Sequence, residues 1–328
     1  MFLPFSKAKI HLGVQKQIWG AQANIALLPL ENLYCGVMKF RRYAHQRGWL
    51  HSERLPVPVL VVGNITVGGT GKTPLVLWLA KFLETNGWKP GILSRGYGGK
   101  IGNKPREVFS EDDPKEVGDE PLLLARRSKV PVAVCTKRTS AGNLLISRHG
   151  CTCLICDDGL QHYALERDVE IVVTDRARGF GNGHCLPAGP LREPISRMAK
   201  THLQIAHGVP LAPGEYAMSL ELGLAVSIGS PKVLRPLSDF QTTPVHAVAG
   251  IGHPDRFFDA LRAKGLNIIP HPFPDHFLFQ NFDFGDCFPI MMTEKDAVKC
   301  SFLSEGWYVP AEAVLPLEFG KKVLDLLP

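Results

Sequence analysis

A glycine-rich segment that ends in Gly-Lys-Thr carries the strongest chemical signal in this sequence. The segment 63–74 reads GNITVGGTGKTP and follows a short apolar run over 57–62. Glycines let backbone N–H groups turn toward phosphate oxygens, and a helix N-terminus adds its positive end. In such a loop Lys72 neutralises the β- and γ-phosphates, and the Thr73 hydroxyl binds Mg²⁺. The spacing therefore predicts a nucleotide-phosphate cradle. Its residues are Thr66, Val67, Gly68, Gly69, Thr70, Gly71, Lys72 and Thr73.

One position departs from the general phosphate-loop pattern. That pattern, G-x-x-x-x-G-K-[ST], requires a glycine where this chain has Thr66. Gly68 and Gly69 are the alternative source of backbone flexibility. A lone Gly-Lys-Thr is common in loops. Here, however, the segment lies between an apolar strand pattern and a helical pattern over 75–83, and this context favours nucleotide binding.

Two adjacent carboxylates follow another apolar run. Residues 151–156 read CTCLIC, and Asp157 and Asp158 come directly after them. A carboxylate at the carboxyl end of a buried strand beside a phosphate loop holds Mg²⁺ in folds of this kind. The pair therefore predicts the acidic side of a magnesium site, and adjacent carboxylates point to different faces.

The cysteines of the same run allow a second interpretation. Cys151, Cys153 and Cys156, with His149 and His162 nearby, have the residue types of a zinc cluster. The C-x-C-x₂-C spacing is not the common C-x₂-C pair of zinc sites. Cysteines on strands usually behave as small buried hydrophobes, which is the favoured interpretation here.

Strand and helix patterns alternate through the first two thirds of the chain. Short apolar runs occur at 130–135 and 169–175, and residues 139–149 have a helical pattern. This alternation predicts an α/β fold, a P-loop NTPase-like, mostly parallel sheet with helices on both faces. The sequence pattern changes near residue 210, where apolar and polar residues begin to alternate with period two. We therefore expect a smaller C-terminal α/β lobe. The predicted units are 1–54, an N-terminal membrane-surface helix segment; 55–210, the P-loop core; and 211–328, the C-terminal lobe.

The N-terminal unit contains an amphipathic helical pattern. Apolar residues recur at 30, 33, 34, 37 and 38, and a cluster of arginines, lysine and aromatic residues follows through position 54. Such a composition is typical of a helix lying in a membrane interface. The alternative is an ordinary amphipathic helix packed on the main domain with a solvated basic end.

Length and composition exclude several classes of protein. The chain has 328 residues, 45% hydrophobic and 21% charged, so extensive disorder is not expected. The net charge of +6 permits a phosphorylated substrate or an anionic membrane surface and does not require nucleic acid. No apolar stretch reaches the ~18–20 residues of a spanning helix. The scattered cysteines indicate a reducing compartment rather than a disulfide framework.

A set of ordered motifs extends beyond the phosphate loop. The chain resembles the tetraacyldisaccharide 4′-kinase family, and the resemblance covers nearly its whole length, including the basic N-terminus. Within that family Thr66 is expected. The motifs are GNITVGGTGKTP (63–74), SRGYG (94–98), GDEP (118–121), DDGLQH (157–162), LPAGPLREP (186–194), PDHF (274–277) and TEKDAVK (293–299).

The resemblance implies an activity and a location. ATP would donate its γ-phosphate to the 4′-hydroxyl of a tetraacylated glucosamine disaccharide 1-phosphate, giving lipid IV-A, a step of lipid A biosynthesis. The enzyme would work with Mg²⁺ at the cytoplasmic face of the bacterial inner membrane, held there by its N-terminal helix. The glycolipid and the membrane surface are then the expected partners, and neither nucleic acid nor a protein partner is implied.

The resemblance also implies residue roles. Asp119 would be the general base and His276 its partner, together with Lys72 on the phosphates. Thr73, Asp157, Asp158 and Glu193 would form the metal environment. Candidates for holding the sugar or its phosphate are Arg95, Tyr97 and His162.

A phosphate loop also occurs in two other classes of protein, which are the alternative interpretations of this sequence. One is a P-loop ATPase switch of the partitioning or metal-delivery type, whose loop usually has a lysine where this chain has Val67. The other is a nucleotide-dependent membrane-binding module without catalysis. Phosphate transfer that requires the glycolipid acceptor and Asp119 distinguishes the kinase from both.

Overall fold

The computed structural model describes residues 20, 22–280 and 282–328. The first 19 residues of the predicted N-terminal unit lie outside the described residues. The strands are β1 Val59–Gly63, β2 Pro90–Ser94, β3 Arg106–Val108, β4 Val132–Val134, β5 Cys153–Asp157, β6 Val169–Asp175, β7 Leu203–His207, β8 Glu215–Leu222, β9 Ala225–Ser227, β10 Leu234–Arg235, β11 Val245–Ala249, β12 Ile268–Pro272, β13 Ile290–Thr293, β14 Gly306–Val309 and β15 Ala311–Val314.

The helices alternate with these strands. The α-helices are α1 Leu28–Gln46, α2 Lys72–Thr85, α3 Pro114–Val117, α4 Asp119–Ser128, α5 Arg138–His149, α6 Pro254–Ala263, α7 Glu294–Ala297 and α8 Leu317–Asp325. Short 3-10 turns cover Ile25–Leu27, Ile195–Lys200 and Leu237–Phe240.

A nine-stranded sheet forms the larger layer, in the order β15-β8-β7-β6-β1-β5-β2-β4-β3. Every neighbouring pair is parallel except the two edge pairs, β15·β8 and β3·β4. Side chains of β1 alternate between two apolar layers, with Leu60 and Val62 in one and Val59 and Val61 in the other. The central strands are therefore buried on both faces, as the continuous apolar runs predict.

Helices cover both faces of this sheet. Helices α2, α4 and α8 supply Leu79, Leu122 and Phe319 to one layer, and α5 supplies Leu145 to the other. Every residue of the apolar pattern that predicts α2 is buried: Leu75, Val76, Leu79, Ala80 and Leu83. The predicted fold class is confirmed.

The second sheet has six strands in the order β10-β9-β14-β13-β11-β12. Its β12, β11, β13 and β14 run parallel, and β9 pairs antiparallel with β14 and β10. Helix α6 packs Phe257, Phe258 and Leu261 into its core.

Two strands beyond residue 210 extend the first sheet rather than the second. Strand β8 pairs with β7, and β15, close to the C terminus, pairs with β8. The chain thus leaves the first sheet after β8, builds the second sheet and returns. The domain limits at 54 and 210 stay a prediction.

Helix α1 confirms the helical pattern of the N-terminal unit. Tyr34 and Cys35 face the layer under β1 and β5, and Ala44 is buried. The Tyr34 hydroxyl donates to the carbonyl of Arg192 at 2.9 Å. The helix also carries exposed apolar residues, namely Leu30, Leu33, Val37, Phe40 and Tyr43. Among the described residues, no helix combines the length and apolar character needed to span a bilayer.

Candidate active site

The glycine-rich loop connects the central strand β1 to α2, as the sequence predicts. Gly71 has φ 90° in the left-handed region, and a Cβ there would lie 2.8 Å from His207 Nδ1. Only glycine fits this turn without strain. Thr66 is buried and forms a bridge with Leu191, and the Val67 N–H donates to Pro190 O at 2.8 Å. Thr66 thus replaces a glycine where the loop is anchored to the segment 186–194.

Lys72 begins α2 and lies among polar groups from other segments. Its Nζ donates to Asn64 Oδ1 at 3.1 Å and lies 3.3 Å from Asp158 Oδ1. Arg192 Nη1 donates to both oxygens of Asp158, at 3.1 and 3.0 Å. The side chains of two cations and one carboxylate therefore lie together beside the loop. An anionic phosphate can compete with Asp158 for both cations.

The two adjacent aspartates at the end of β5 occupy different environments. Asp157 is buried, and its Oδ1 has no hydrogen-bond partner among the described residues. Burial raises the pKa of Asp157, and the charges of Glu120 and Asp158 add to that effect. Burial acts in the same direction on Asp158, but Lys72 and Arg192 outweigh it and hold its pKa well below the ordinary value. Asp158 also adopts φ 47°, which is rare for a non-glycine residue and typical of strained functional sites.

Glu193 is buried within a set of protein partners. Its Oε1 accepts from Gln161 Nε2 at 2.9 Å, and its Oε2 accepts from the Tyr163 hydroxyl at 2.5 Å. Arg197 Nε lies 3.4 Å away. Gln161 also donates to Asn64 O at 3.0 Å. Glu193 is therefore connected to the base of the phosphate loop through Gln161.

A carboxylate–imidazole pair lies where α4 begins. Asp119 is buried at the first position of α4, and its Oδ2 lies 2.9 Å from His276 Nδ1. Its Oδ1 accepts from the Glu120 N–H at 2.9 Å. Gly118 precedes α4 at φ 92°, and a Cβ there would lie 2.6 Å from Tyr97 O. The glycine of the GDEP motif thus allows the start of α4 to lie against the loop that carries Tyr97.

Burial, their mutual hydrogen bond and neighbouring charges shift the pKa values of both members of the Asp119–His276 pair. Burial raises the pKa of Asp119, but the hydrogen bond from His276 and the charge of Lys295 outweigh it and lower that pKa to about 2. Burial lowers the pKa of His276, whereas its hydrogen bond to Asp119 prevails and raises it. The pair therefore favours a carboxylate next to a protonated imidazole. Lys295 Nζ lies 2.8 Å from Glu120 Oε1 and 3.5 Å from His276 Nε2.

The three candidates for sugar or phosphate contacts lie in different surroundings. Tyr97 is exposed, and its ring centroid lies 4.9 Å from that of His276. Arg95 is exposed on the same SRGYG loop. His162 lines a small depression with His51, Glu53 and Lys137. Burial and then nearby arginines lower the pKa of His162 to about 4, which favours a neutral ring.

A charged network that the sequence motifs do not reveal connects the phosphate loop to the second lobe. Asp175, at the carboxyl end of β6, accepts from Arg178 Nε at 3.1 Å and from Arg256 Nη2. Arg178 also donates to Gly69 O and, at 2.9 Å, to Gly252 O. The signal available in the sequence was the position of Asp175 at the end of an apolar strand, equivalent to that of Asp157.

A cavity of about 1180 Å³ opens beside the loop, between the two sheets. Lys72, Thr73, Glu120 and Lys295 all line it. Asp119 directly precedes Glu120, and Lys295 Nζ lies 3.5 Å from His276 Nε2, so the cleft runs from the phosphate loop to residues that adjoin the carboxylate–imidazole pair.

Comparison with known proteins agrees with this geometry. A family model described as tetraacyldisaccharide-1-P 4′-kinase matches residues 23–328. The chain is 52% identical to the tetraacyldisaccharide 4′-kinase of Nitrosococcus oceani over 305 residues, which cover 92% of this chain and 90% of that protein. It is 46% identical to the Stenotrophomonas maltophilia protein of the same name, over 94% of each chain. The chain belongs to the tetraacyldisaccharide 4′-kinase family.

A solved structure extends the comparison to three dimensions. The crystal structure of LpxK from Aquifex aeolicus in complex with ATP superposes with a TM-score of 0.78 at 27% identity, covering 92% of this chain and 99% of that one. As a member of the tetraacyldisaccharide 4′-kinase family, the chain is a kinase of lipid A biosynthesis, and ATP is its nucleotide. The resemblance drawn from the sequence motifs is confirmed.

Proposed function

We propose that this kinase transfers the γ-phosphate of ATP to the 4′-hydroxyl of tetraacyldisaccharide 1-phosphate in the cleft between the phosphate loop and the Asp119–His276 pair. The single observation that carries the proposal is that Lys72 lines the same cavity as Glu120 and Lys295, the two residues that adjoin the Asp119–His276 pair. A transferable phosphate and a proton acceptor can then face one hydroxyl in line.

The phosphate end of the cleft is proposed to bind the triphosphate. Lys72 would exchange its contact with Asp158 for the β- and γ-phosphate oxygens, and backbone N–H groups around Gly69 and Gly71 would surround them. The residues of the cradle are proposed to be Thr66, Val67, Gly68, Gly69, Thr70, Gly71, Lys72 and Thr73.

The acidic residues fit Mg²⁺. The unpartnered, buried Oδ1 of Asp157 supports this fit, since an isolated buried carboxylate is costly unless a cation or hydrogen bond satisfies it. Thr73 and Asp158 are proposed to complete the protein side of the site, and Glu193 to belong to its surroundings. Bound Mg²⁺ would neutralise charge that develops on the transferred phosphate.

The Asp119–His276 pair is proposed to receive the hydroxyl proton. Asp119 is ionised at neutral pH and weakly basic by itself, so the imidazole that orients it and shares its charge is needed. Lys295 and Lys299 offset the carboxylate charge around the pair; Lys299 Nζ lies 3.8 Å from Asp119 Oδ2. Arg95 and Tyr97 are proposed to contact the sugar or its phosphate, and His162 is a third candidate.

Helix α1 is proposed to place the enzyme on the cytoplasmic face of the inner membrane, where its acylated substrate resides. The supporting observation is the exposed apolar stripe from Leu30 to Tyr43 with the exposed cations Lys39, Arg41 and Arg47 beside it. Each cation near an anionic leaflet contributes about 1 kcal/mol to binding.

Radiolabelled ATP incubated with the disaccharide 1-phosphate acceptor tests the proposal. Label should appear in a lipid product only when the acceptor is present, and phosphate analysis should place it at the 4′ position. Hydrolysis of ATP at the same rate without acceptor would instead favour an ATPase switch.

A further inference from the structure

A cluster of metal-ligating side chains lies away from the active cleft, where α1 meets the loop after β6. Glu31 and Cys35 occupy positions i and i+4 of α1, on one side of the helix. His184 and Cys185 approach from the loop. One ligand atom each from Glu31, Cys35 and Cys185 lies within 4.8 Å of the other two. We name these four residues the Glu31–Cys185 cluster.

The backbone of the loop fixes these positions. Glu31 Oε1 accepts the Cys185 N–H at 2.7 Å, and Oε2 lies 2.8 Å from His184 Nδ1. Asn182 Oδ1 accepts the His184 N–H at 3.1 Å, and the Cys185 carbonyl accepts the Gly189 N–H at 2.9 Å. The four side chains thus come from helix α1 and one hydrogen-bonded loop, and such hydrogen bonds help to preform a ligand site.

The cluster concentrates electron-rich donors without a lysine or arginine among them. In the described part of the chain, the ion pair of Glu31 is with His184, and no lysine or arginine pairs with it. Burial, the neighbouring Cys35 thiol and Glu31 raise the pKa of Cys185 to about 12. A bound cation would reverse this, because metal coordination deprotonates a thiol.

The donor types and separations match one class of ion. Two thiols, an imidazole and a carboxylate are the ligands that zinc prefers, in a tetrahedron with Zn–S about 2.3 Å and Zn–N or Zn–O about 2.0–2.2 Å. Those lengths imply ligand atoms roughly 3.3–3.8 Å apart. The ligand atoms of Glu31, Cys35 and Cys185 lie within 4.8 Å of one another, so binding would require them to approach by up to about 1 Å.

We propose that the Glu31–Cys185 cluster binds a zinc-class divalent cation, with Glu31, Cys35 and Cys185 as ligands and His184 as the fourth. The cation fastens α1 to the segment that carries Arg192 and Glu193. It serves a structural role outside phosphoryl transfer, and it links the proposed membrane helix to Arg192, which donates to Asp158 beside Lys72.

Cobalt titration of the full-length protein, purified with reductant and then freed of metal, tests the site. Co²⁺ in a thiolate site gives sulfur-to-metal charge-transfer bands and intense tetrahedral visible bands. We expect one Co²⁺ per chain, displaced by Zn²⁺, in the wild type and in Cys287→Ser, whose cysteine is exposed and distant from the cluster. Cys35→Ser and Cys185→Ser should each lose intensity in the charge-transfer bands. His184→Ala should weaken Zn²⁺ binding by at least about 10–100-fold.

Glu31→Gln keeps both thiols and removes only one ligand charge, so loss of metal binding in this variant can be separated from a failure to fold. It should retain the far-ultraviolet circular dichroism of the wild type, bind Zn²⁺ more weakly and lose the Zn²⁺-induced rise in Tm. Three results would overturn the proposal: no Co²⁺ bands in wild-type protein with free thiols, bands that persist equally in Cys35→Ser and Cys185→Ser, or a Cys35–Cys185 disulfide found by mass spectrometry in place of metal.

Discussion

The carboxyl edge of the first sheet and the outer side of α1 use charged residues in opposite ways. At the edge, Lys72 and Arg192 are held within hydrogen-bond distance of Asp158, which comes from a third segment. On α1, Lys39 and Arg41 are exposed beside exposed apolar side chains. Chemistry on a phosphate requires fixed positions, whereas attraction to a membrane surface requires only composition. Substitutions at the edge should therefore change turnover, and those on α1 should change where the enzyme binds.

The largest effect is expected at the proposed base. Asp119→Asn should lower phosphate transfer by about 10²–10⁴-fold, the usual contribution of a positioned proton acceptor, while nucleotide binding persists. Transfer is measured with labelled ATP and detergent-dispersed acceptor, and nucleotide affinity by calorimetry. Asp259→Asn, on an exposed part of α6, is the matched control. Wild-type transfer by Asp119→Asn would remove Asp119 from the mechanism.

Lys72→Ala should have the next largest effect. Removing a cation positioned for the developing phosphate charge costs roughly 10²–10³-fold in turnover. Lys81→Ala, an exposed lysine of the same helix, controls for loss of charge. Equal loss of activity in the two variants would contradict the claim that Lys72 acts on the phosphates through its fixed position, because Lys81 is exposed to solvent.

Replacing two exposed apolar residues of α1 tests whether this helix binds the membrane without affecting catalysis. Leu33→Ser with Val37→Ser should weaken binding to anionic vesicles by at least about tenfold, because each side chain contributes about 1–2 kcal/mol when buried in lipid. Sedimentation measures the binding, and added salt should weaken it further. Turnover of detergent-dispersed acceptor should not change. Leu234→Ser, an exposed leucine of the second lobe, should bind vesicles like the wild type.

The smallest effect concerns stability and pH. His276 has a pKa raised above its ordinary 6.5, so its pairing with Asp119 stabilises the fold fully below pH 6.5 and loses effect as pH rises through the folded-state pKa. The difference in free energy of unfolding between wild type and His276→Asn should therefore shrink with rising pH. Asn tolerates the left-handed backbone at this position, where φ is 59°. Urea denaturation measures the difference, with His51→Asn as control. A difference that grows with pH would contradict the pairing.

Local sequence patterns predicted most elements that position the active cleft. The strand–loop–helix around Lys72 and the strand before Asp157 follow from continuous apolar runs and glycine spacing, which are local signals. The meeting of Asp119 with His276 came only from the family resemblance, because no local pattern relates positions 157 residues apart. The Asp175 network and the return of β15 to the first sheet were missed for the same reason.

The cysteines show this limit most clearly. Cys153 and Cys156 are close in sequence, yet they lie in the two different apolar layers of the first sheet, so they do not form a zinc cluster. Cys35 and Cys185 are distant in sequence and lie together. Strand alternation separates the first pair, and the packing of α1 unites the second, which only the folded chain reveals.

The position of β15 has a consequence for synthesis of the enzyme. The first sheet gains this edge strand, and α8 covers its apolar layer, only after the chain has passed through the whole second sheet. During translation the nascent kinase core therefore exposes the edge of β8 and part of its apolar layer until β15 and α8 have left the ribosome. A chain released before β15 is made would be prone to aggregation and would bind chaperones.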